Sequence, residues 1–152
     1  MKIKMEQTTS DLRLKNWLYE SDKSKFPMQV EGIGKDWIYL NFEGNEGDVF
    51  ENSDKEIYPI PLNKELLENI GFKYSSNHVY EYKEDENILF DEPNDWNDTK
   101  DYPTQIVGVN GNYFTGYVPY GETIIRCLYL HQLQNFFYCI TGKELEIKRE
   151  WL

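Results

Sequence analysis

Short runs of aromatic and β-branched residues, bounded by turn-forming residues, recur along this chain and most constrain its fold. Residues 28–33 and 36–42 are two such runs, and Gly34-Lys35 between them is typical of a tight hairpin. Asn110-Gly111 stands between two later runs and favours a type I′ turn, in which both central residues take positive φ. Because strands joined by short turns pair antiparallel, the pattern predicts a mainly antiparallel sheet or a small β-barrel.

One of these runs, residues 36–42, has large apolar residues on both faces of the predicted strand. Successive side chains of a strand point to opposite sides of a sheet, and we expect this strand to lie in the interior of the sheet. Residues 57–62 contain two prolines, which cannot donate to a strand ladder, so they predict an edge or terminating strand. The alternating sets in the run 36–42 are Ile38, Leu40 and Phe42 on one face and Trp37, Tyr39 and Asn41 on the other.

Three further segments have the composition of strands. Residues 72–82 predict one strand, which the polar residues 75–77 weaken. Residues 123–129 predict a buried strand, and residues 144–148 alternate like a final strand. The chain therefore has strand signals from its first third to its last residues.

Two segments carry the signals of short helices. Asn63 is a typical N-cap residue, and Gly71 is typical of a helix end. Leu62 and Leu67 occupy the two positions of a hydrophobic staple, so a helix is predicted at about 63–70.

The second helical signal is a change to helical spacing near the C-terminus. Apolar residues recur there on one helical face, and Gly142 is typical of a C-cap, which predicts a helix at about 130–141. The predicted fold class is α+β, with a flexible lead-in over residues 1–11 and a single domain over residues 12–152. The residues on the apolar helical face are Tyr129, Leu133, Phe136, Phe137 and Ile140.

Negative charge is concentrated in two segments. The formal net charge is −11, and residues 43–56 carry six acidic residues and one lysine, whereas residues 81–101 carry nine acidic residues and two lysines. The rest of the chain is close to neutral. A chain of this charge repels phosphate backbones, so direct nucleic-acid binding is disfavoured.

Both acidic segments are predicted to be loops, and two interpretations of them stay open. They keep an aromatic-rich protein soluble, or they present carboxylates and aromatic anchors to a basic partner surface. Calcium binding is a weaker alternative, since residues 91–101 lack the central Gly and terminal Glu of an EF-hand loop. The candidate partner-binding residues are Glu84, Asp85, Glu86, Asp91, Glu92, Asp95, Trp96, Asp98, Glu46, Asp48 and Glu51.

The sequence contains no recognisable catalytic, cofactor-binding or metal-binding constellation. Cys127, His131 and Cys139 fall close together, but a zinc site needs about four ligands, and the two cysteines are predicted to be buried free thiols. Gly32 and Gly34 lack the third glycine and the following helix of a phosphate-binding loop. We therefore expect no cofactor, no metal ion and no enzymatic activity.

The polar side of the second predicted helix is a further candidate site. Its amide and imidazole groups offer both donors and acceptors, so this side is either a recognition face or a face that caps loops and meets solvent. Its residues are His131, Gln134, Asn135 and Tyr138.

The chain also lacks the apolar stretches that direct proteins to membranes. Its N-terminal residues have no apolar region of a secretory signal, and no run is long enough to span a bilayer. These features, together with the two unpaired cysteines, predict a cytoplasmic protein.

Three blocks of the sequence resemble a known group of proteins. They are Leu12-Arg-Leu-Lys-Asn-Trp-Leu, the segment from Pro59 to Phe72, and Tyr129-Leu-His-Gln-Leu-Gln-Asn-Phe-Phe-Tyr followed by Thr141-Gly-Lys-Glu-Leu. Together they resemble a family of short uncharacterised proteins from bacterial phages, prophages and mobile elements. The resemblance implies a phage context and carries no catalytic residues to this chain.

Charge and phage context together predict a non-enzymatic protein-binding module in the cytoplasm of a bacterial host. The leading hypothesis is an inhibitor of a nucleic-acid-guided defence nuclease, an anti-CRISPR type of role, because such nucleases expose basic channels that acidic patches complement. The alternative is a phage structural or accessory protein, or a small β-barrel adaptor that binds peptide or nucleic acid. The adaptor hypothesis predicts that binding depends on Trp37 or Tyr39.

Overall fold

The computed structural model of the protein describes residues 12–45, 50–53, 56–76, 79–91, 107–109 and 129–152. These residues form antiparallel sheets with two α-helices, which confirms the predicted α+β class. The strands are β1 (Trp17–Tyr19), β2 (Pro27–Ile33), β3 (Trp37–Asn41), β4 (Phe50–Ser53), β5 (Tyr58–Pro59), β6 (Phe72–Ser76), β7 (Val79–Tyr82), β8 (Asp85–Asp91) and β9 (Val107–Val109). The helices are α1 (Lys64–Ile70), α2 (Leu130–Thr141) and a short 3₁₀ helix (Arg149–Trp151).

The chain divides into two compact units, Met1–Ile60 and Pro61–Leu152. Strands β1 to β5 belong to the first unit, and the remaining elements belong to the second. The single domain over residues 12–152 stays a prediction.

The N-terminal unit is an antiparallel sheet with the strand order β4-β3-β2-β1-β5. Strands β2 and β3 form the hairpin predicted at Gly34, whose N–H donates to the carbonyl of Trp37 at 2.8 Å. The pairing shifts register between Val30 and Gly32, which places a bulge at Glu31. One face of the sheet is the core of this unit, formed by the buried residues Leu18, Met28, Val30, Ile38 and Leu40.

Strand β3 lies in the interior of this sheet, as predicted, but its two faces are buried to different extents. Ile38 and Leu40 are fully buried, whereas Trp37 on the opposite face is 45% exposed. At the other side of the sheet, β5 pairs only with β1 among the described strands and contains Pro59, so the predicted edge strand is confirmed.

The C-terminal unit contains a second antiparallel sheet with the strand order β6-β7-β8-β9. Residues 72–82, predicted to be one strand, instead form two strands that pair with each other, with Phe72 opposite Tyr82. Ser75 and Ser76, two of the polar residues that weaken the strand signal, are the last two residues of β6. Large aromatic side chains are buried here, among them Phe72, Tyr80, Tyr82 and Phe90.

Helix α1 begins and ends where its capping residues predict. The side chain of Asn63 accepts a hydrogen bond from the N–H of Leu66 at 2.8 Å. Leu62 and Leu67, the predicted staple pair, are both buried. Gly71 ends the helix in the left-handed conformation with φ 116°, which a side chain would strain.

Helix α2 matches the predicted range of about 130–141. The N–H of Tyr129, at its N-cap, donates to the side-chain oxygen of Gln132 at 3.2 Å, and Gly142 ends the helix with φ 69°. Its side toward the core carries Leu130, Leu133, Phe136 and Phe137, all of them buried.

Several sequence-based expectations differ from the structure. The acidic segments 43–56 and 81–101, predicted to be loops, contain strands β4 and β8, because pairing with β3 and β7 supplies hydrogen bonds that composition does not reveal. Residues 144–148, predicted to be a strand, belong to no strand. The hairpin at Asn110-Gly111 and all but the last residue of the predicted strand 123–129 lie outside the described residues.

Candidate functional site

The predicted acidic residues that the structure describes fall in both units. Glu84 is exposed in the turn between β7 and β8, and Asp85, Glu86 and Asp91 belong to strand β8. Glu51 is exposed in β4 of the N-terminal unit. The structure thus brings part of the candidate set together in one hairpin. The candidates outside the described residues are Glu46, Asp48, Glu92, Asp95, Trp96 and Asp98.

Tyr82, two residues before Glu84, anchors this hairpin in a cluster of aromatic rings. Its ring centroid lies 5.2 Å from that of Phe72 and 5.2 Å from that of Phe137 on helix α2. Phe72 in turn packs edge-on against Phe90 of strand β8 at 6.3 Å. Rings in such arrangements gain energy beyond their buried area, so the last residue of β7 is held firmly.

The backbone of the turn is tied down as well. The N–H of Lys83 donates to the carbonyl of Gly71 at 2.9 Å. Both side chains of the turn, Lys83 and Glu84, are exposed. Glu84 is therefore a surface carboxylate on a fixed backbone.

The surroundings of Tyr82 carry negative charge. Burial raises the pKa of its hydroxyl, and the Glu84 and Glu146 carboxylates and a side-chain hydrogen bond to Glu84 raise that pKa further. The phenol therefore stays protonated at neutral pH and can hold Glu84 in place. This arrangement supplies a positioned anion rather than a catalytic acid or base.

The predicted recognition face of α2 is not one exposed surface. His131 and Gln134 are buried, Asn135 is half-buried and Tyr138 is 41% exposed. The helix therefore buries polar residues as well as its apolar stripe, because parts of the protein pack on more than one of its sides. His131 and Gln134 cannot contact a partner in this conformation.

His131 is the most unusual of these residues. Its side chain is fully buried, and neither ring nitrogen has a hydrogen-bond partner among the described residues. Its ring stacks on that of Tyr129 with centroids 6.0 Å apart and planes 16° apart. Burial lowers the pKa of His131 to about 4, so the imidazole is neutral at physiological pH.

An aromatic surface lies on the outer face of the N-terminal sheet. The rings of Trp37 and Tyr39, two residues apart on β3, have centroids 6.2 Å apart. Trp37 is 45% exposed and Tyr39 is half-buried. Tyr39 pairs across the sheet with Glu51 of β4, and the side chain of Asn41 donates to the Glu31 carboxylate at 3.4 Å.

Two glycines leave the space in which these rings pack against strand β2 and the turn that follows it. A Cβ atom at Gly34 would overlap the indole of Trp37, and a Cβ atom at Gly32 would lie 2.9 Å from Cδ2 of Tyr39. The rings therefore occupy space that any other residue would fill. In the sequence, Trp37 and Tyr39 are candidate binding residues only under the adaptor hypothesis. Gly32 and Gly34, at alternate positions of the neighbouring strand and turn, are the sequence signal that indicates a close approach of these two rings.

The described part of the chain also bears on the cysteines, on metal binding and on membrane spans. Cys139 is a free thiol but is exposed, not buried as predicted, because it follows Tyr138 on the solvent side of α2; Cys127 lies outside the described residues. Within the described ranges no group of three or more His, Cys, Asp or Glu residues is placed to hold a metal ion. None of the described helices has the length and apolar character needed to span a membrane.

Comparison with known proteins leaves the family of this chain open. No family model, no curated protein and no solved structure matches it. The resemblance to phage and prophage proteins therefore stays a prediction.

Proposed function

We propose that this chain is a non-enzymatic protein-binding module that contacts a basic surface of a partner protein through Glu84 in the turn between β7 and β8. This turn residue together with the first two residues of β8, Asp85 and Glu86, is called here the acidic turn. The observation that carries this proposal is the exposed Glu84 directly beside the anchored, buried Tyr82. A carboxylate that only keeps the protein soluble does not need a fixed position, whereas a carboxylate that recognises a partner binds better when packing beside it fixes its position. Binding through a fixed turn costs less conformational entropy than binding through a loop.

Charge supports a basic partner. Residues 61–152 carry 15 acidic and 8 basic residues, so the acidic turn stands in a unit of net charge −7. Complementary charge speeds association and selects among partners. The partner surface that fits is a cluster of lysine and arginine side chains.

A nucleic-acid-guided defence nuclease of a bacterial host is the partner class that we propose. Its channel must be basic in order to hold a guide strand and its target. The alternative roles, a phage structural or accessory protein or a peptide-binding adaptor, predict partners that do not need this turn.

Affinity capture with matched charge variants tests the binding proposal. The tagged full-length chain, its Glu84→Lys variant and its Glu68→Lys variant are each incubated with host lysate at physiological salt, and the retained proteins are identified. Glu68 is an exposed residue of α1, so its reversal changes net charge equally without touching the turn. We expect one partner to be retained by the wild type and the Glu68→Lys variant, and to be largely lost from the Glu84→Lys variant.

Equal retention by all three proteins would exclude the acidic turn as the binding site. Far-UV circular dichroism and thermal unfolding of each variant show whether a loss reflects binding or folding.

A cleavage assay tests the proposed partner class. The purified chain is titrated into a guided nuclease from the host, and cleavage of a matched target is measured. We expect inhibition near equimolar ratio by the wild type and none by the Glu84→Lys variant. Full cleavage at excess protein, together with capture of a partner that binds no guide, would favour the accessory or adaptor role.

A further inference from the structure

We propose that the N-terminal unit has a second binding surface, which takes an arginine side chain of a partner peptide. This surface, called here the Trp37 face, consists of Trp37, Tyr39, Glu31 and Glu51. It is independent of the acidic turn, which belongs to the other unit.

The Trp37 face offers an exposed and fixed aromatic platform. Trp37 leaves 45% of its surface to solvent although it lies on an interior strand of the sheet. Its indole rests on Gly34, and the neighbouring ring of Tyr39 rests on Gly32. A cation placed over such a ring is attracted by its negative face, and tryptophan provides the strongest attraction of the aromatic residues.

Two carboxylates flank the platform on opposite sides. Glu51 stands directly across from Tyr39 on β4, within the distance at which cross-strand side chains interact. Glu31, in the bulge of β2, reaches the same face and accepts from Asn41, two residues beyond Tyr39. Neither carboxylate takes part in an ion pair among the described residues.

This combination selects for a cation and against other occupants. Paired carboxylates repel the phosphates of a nucleic acid, although a base would stack on the rings. Arginine fits better than lysine because its planar guanidinium stacks on an aromatic face while it donates to carboxylates in its own plane. The ligand that fits this surface is therefore an arginine side chain of a peptide.

A titration followed by nuclear magnetic resonance tests this proposal on the full-length chain. The probes are tetra-arginine and tetra-lysine peptides with blocked ends, and the readout is the indole N–H resonance of Trp37, assigned by its loss in Trp37→Phe. Trp151 is the internal control, because Lys148 Nζ already lies 5.6 Å from the centre of its ring. We expect tetra-arginine to shift the Trp37 resonance to saturation and tetra-lysine to need a several-fold higher concentration.

Variants separate the platform from the carboxylates. Gly34→Ala keeps the tryptophan but displaces its ring, and we expect it to weaken tetra-arginine binding about fivefold. Glu51→Gln and Glu31→Gln should each weaken it about two- to threefold, whereas Glu68→Gln, on the other unit, should leave it unchanged. Thermal unfolding confirms that each variant is folded, and Glu84→Lys should have no effect on this resonance.

Four outcomes would overturn the proposal. The first is a Trp37 resonance that tetra-arginine does not move, and the second is one that moves no more than that of Trp151. The third is a shift caused by oligothymidylate and not by tetra-arginine, which would assign the face to nucleic-acid bases. The fourth is a shift with chain concentration alone, which would assign it to a second copy. None of these outcomes bears on binding through the acidic turn.

Discussion

His131 shows how a single buried residue links the fold to pH. Its ring nitrogens have no hydrogen-bond partner among the described residues, so the buried ring is held as the neutral form, since the charged imidazolium loses its hydration there. The unfolded chain exposes the same ring to water, where its pKa returns to the ordinary value of 6.5. The unfolded state therefore binds a proton at a higher pH than the folded state does.

We expect the free energy of unfolding to fall as the pH is lowered from about 6.5 to about 4. Above this range neither state binds a proton at His131, and below it both do. The difference between the two pKa values of His131, 6.5 in the unfolded chain and about 4 in the folded chain, corresponds to a loss of about 3 kcal/mol in the free energy of unfolding. Urea unfolding at a series of pH values measures the effect.

The variant His131→Leu isolates this contribution. It removes two ring nitrogens for which the described part of the chain supplies no hydrogen-bond partner, so its stability at pH 7 should equal or exceed that of the wild type. Its stability should fall less steeply than that of the wild type between pH 6.5 and 4. Replacement of the other histidine, His78→Gln, is the control, and parallel curves for wild type and His131→Leu would contradict the account.

At the scale of elements, the hairpin of β7 and β8 joins the folded interior to the candidate binding surface. Tyr82 contributes its ring to the aromatic cluster and its hydroxyl to Glu84. The packing and the hydrogen bond can be separated, because phenylalanine keeps the first and removes the second.

We expect Tyr82→Phe to lower the free energy of unfolding by about 1 kcal/mol at pH 7. Glu84→Ala should lower the free energy of unfolding by a similar amount. The double variant should lower it little more than either single change, because each of the three variants lacks the same hydrogen bond between Tyr82 and Glu84. Urea unfolding of the four proteins measures this cycle. Fully additive losses would show that the two side chains do not act together.

Helix α1 offers a second test at this scale. Asn63→Ala removes the acceptor for the N–H of Leu66, so the free energy of unfolding should fall by about 1 kcal/mol. Asn63→Asp and Asn63→Ser retain an acceptor at the N-cap and should lose much less. A loss with aspartate as large as that with alanine would mean that the cap does not hold this helix end.

The elements that sequence reasoning predicts well are those whose causes are local. Asn63, Gly71 and Gly142 mark helix ends because a cap depends only on residues within one turn. Strand β8 is not predicted because its composition resembles that of a loop, whereas pairing with β7 and β9 and burial of Phe90 stabilise it. Such contacts join residues far apart in sequence, so periodicity cannot reveal them.

The candidate site was predictable to a similar extent. The charge count drew attention to Glu84 and its neighbours, but not to the aromatic anchor that separates this turn from an ordinary acidic loop. The polar spacing of α2 suggested a recognition face, yet His131 and Gln134 are buried. The burial of a helical residue depends on which other parts of the protein pack against the helix, and the spacing of residues along the helix does not reveal those contacts.

At the scale of the whole molecule, negative charge belongs to both units. Residues 1–60 carry 12 acidic and 8 basic residues, and residues 61–152 carry 15 and 8, so neither unit balances the other. Under the proposed function, we expect a partner that binds either surface to supply positive charge. Attraction between exposed charges weakens as salt shortens the screening distance.

The salt dependence of partner binding tests the central claim most directly. The dissociation constant of the captured partner is measured by isothermal titration calorimetry from about 50 to about 300 mM NaCl for the wild type, Glu84→Lys and Glu68→Lys. We expect wild-type and Glu68→Lys affinity to fall about tenfold or more over this range, and Glu84→Lys to bind weakly at low salt with a shallower dependence. An affinity that is independent of salt and equal in all three proteins would contradict binding through the acidic turn.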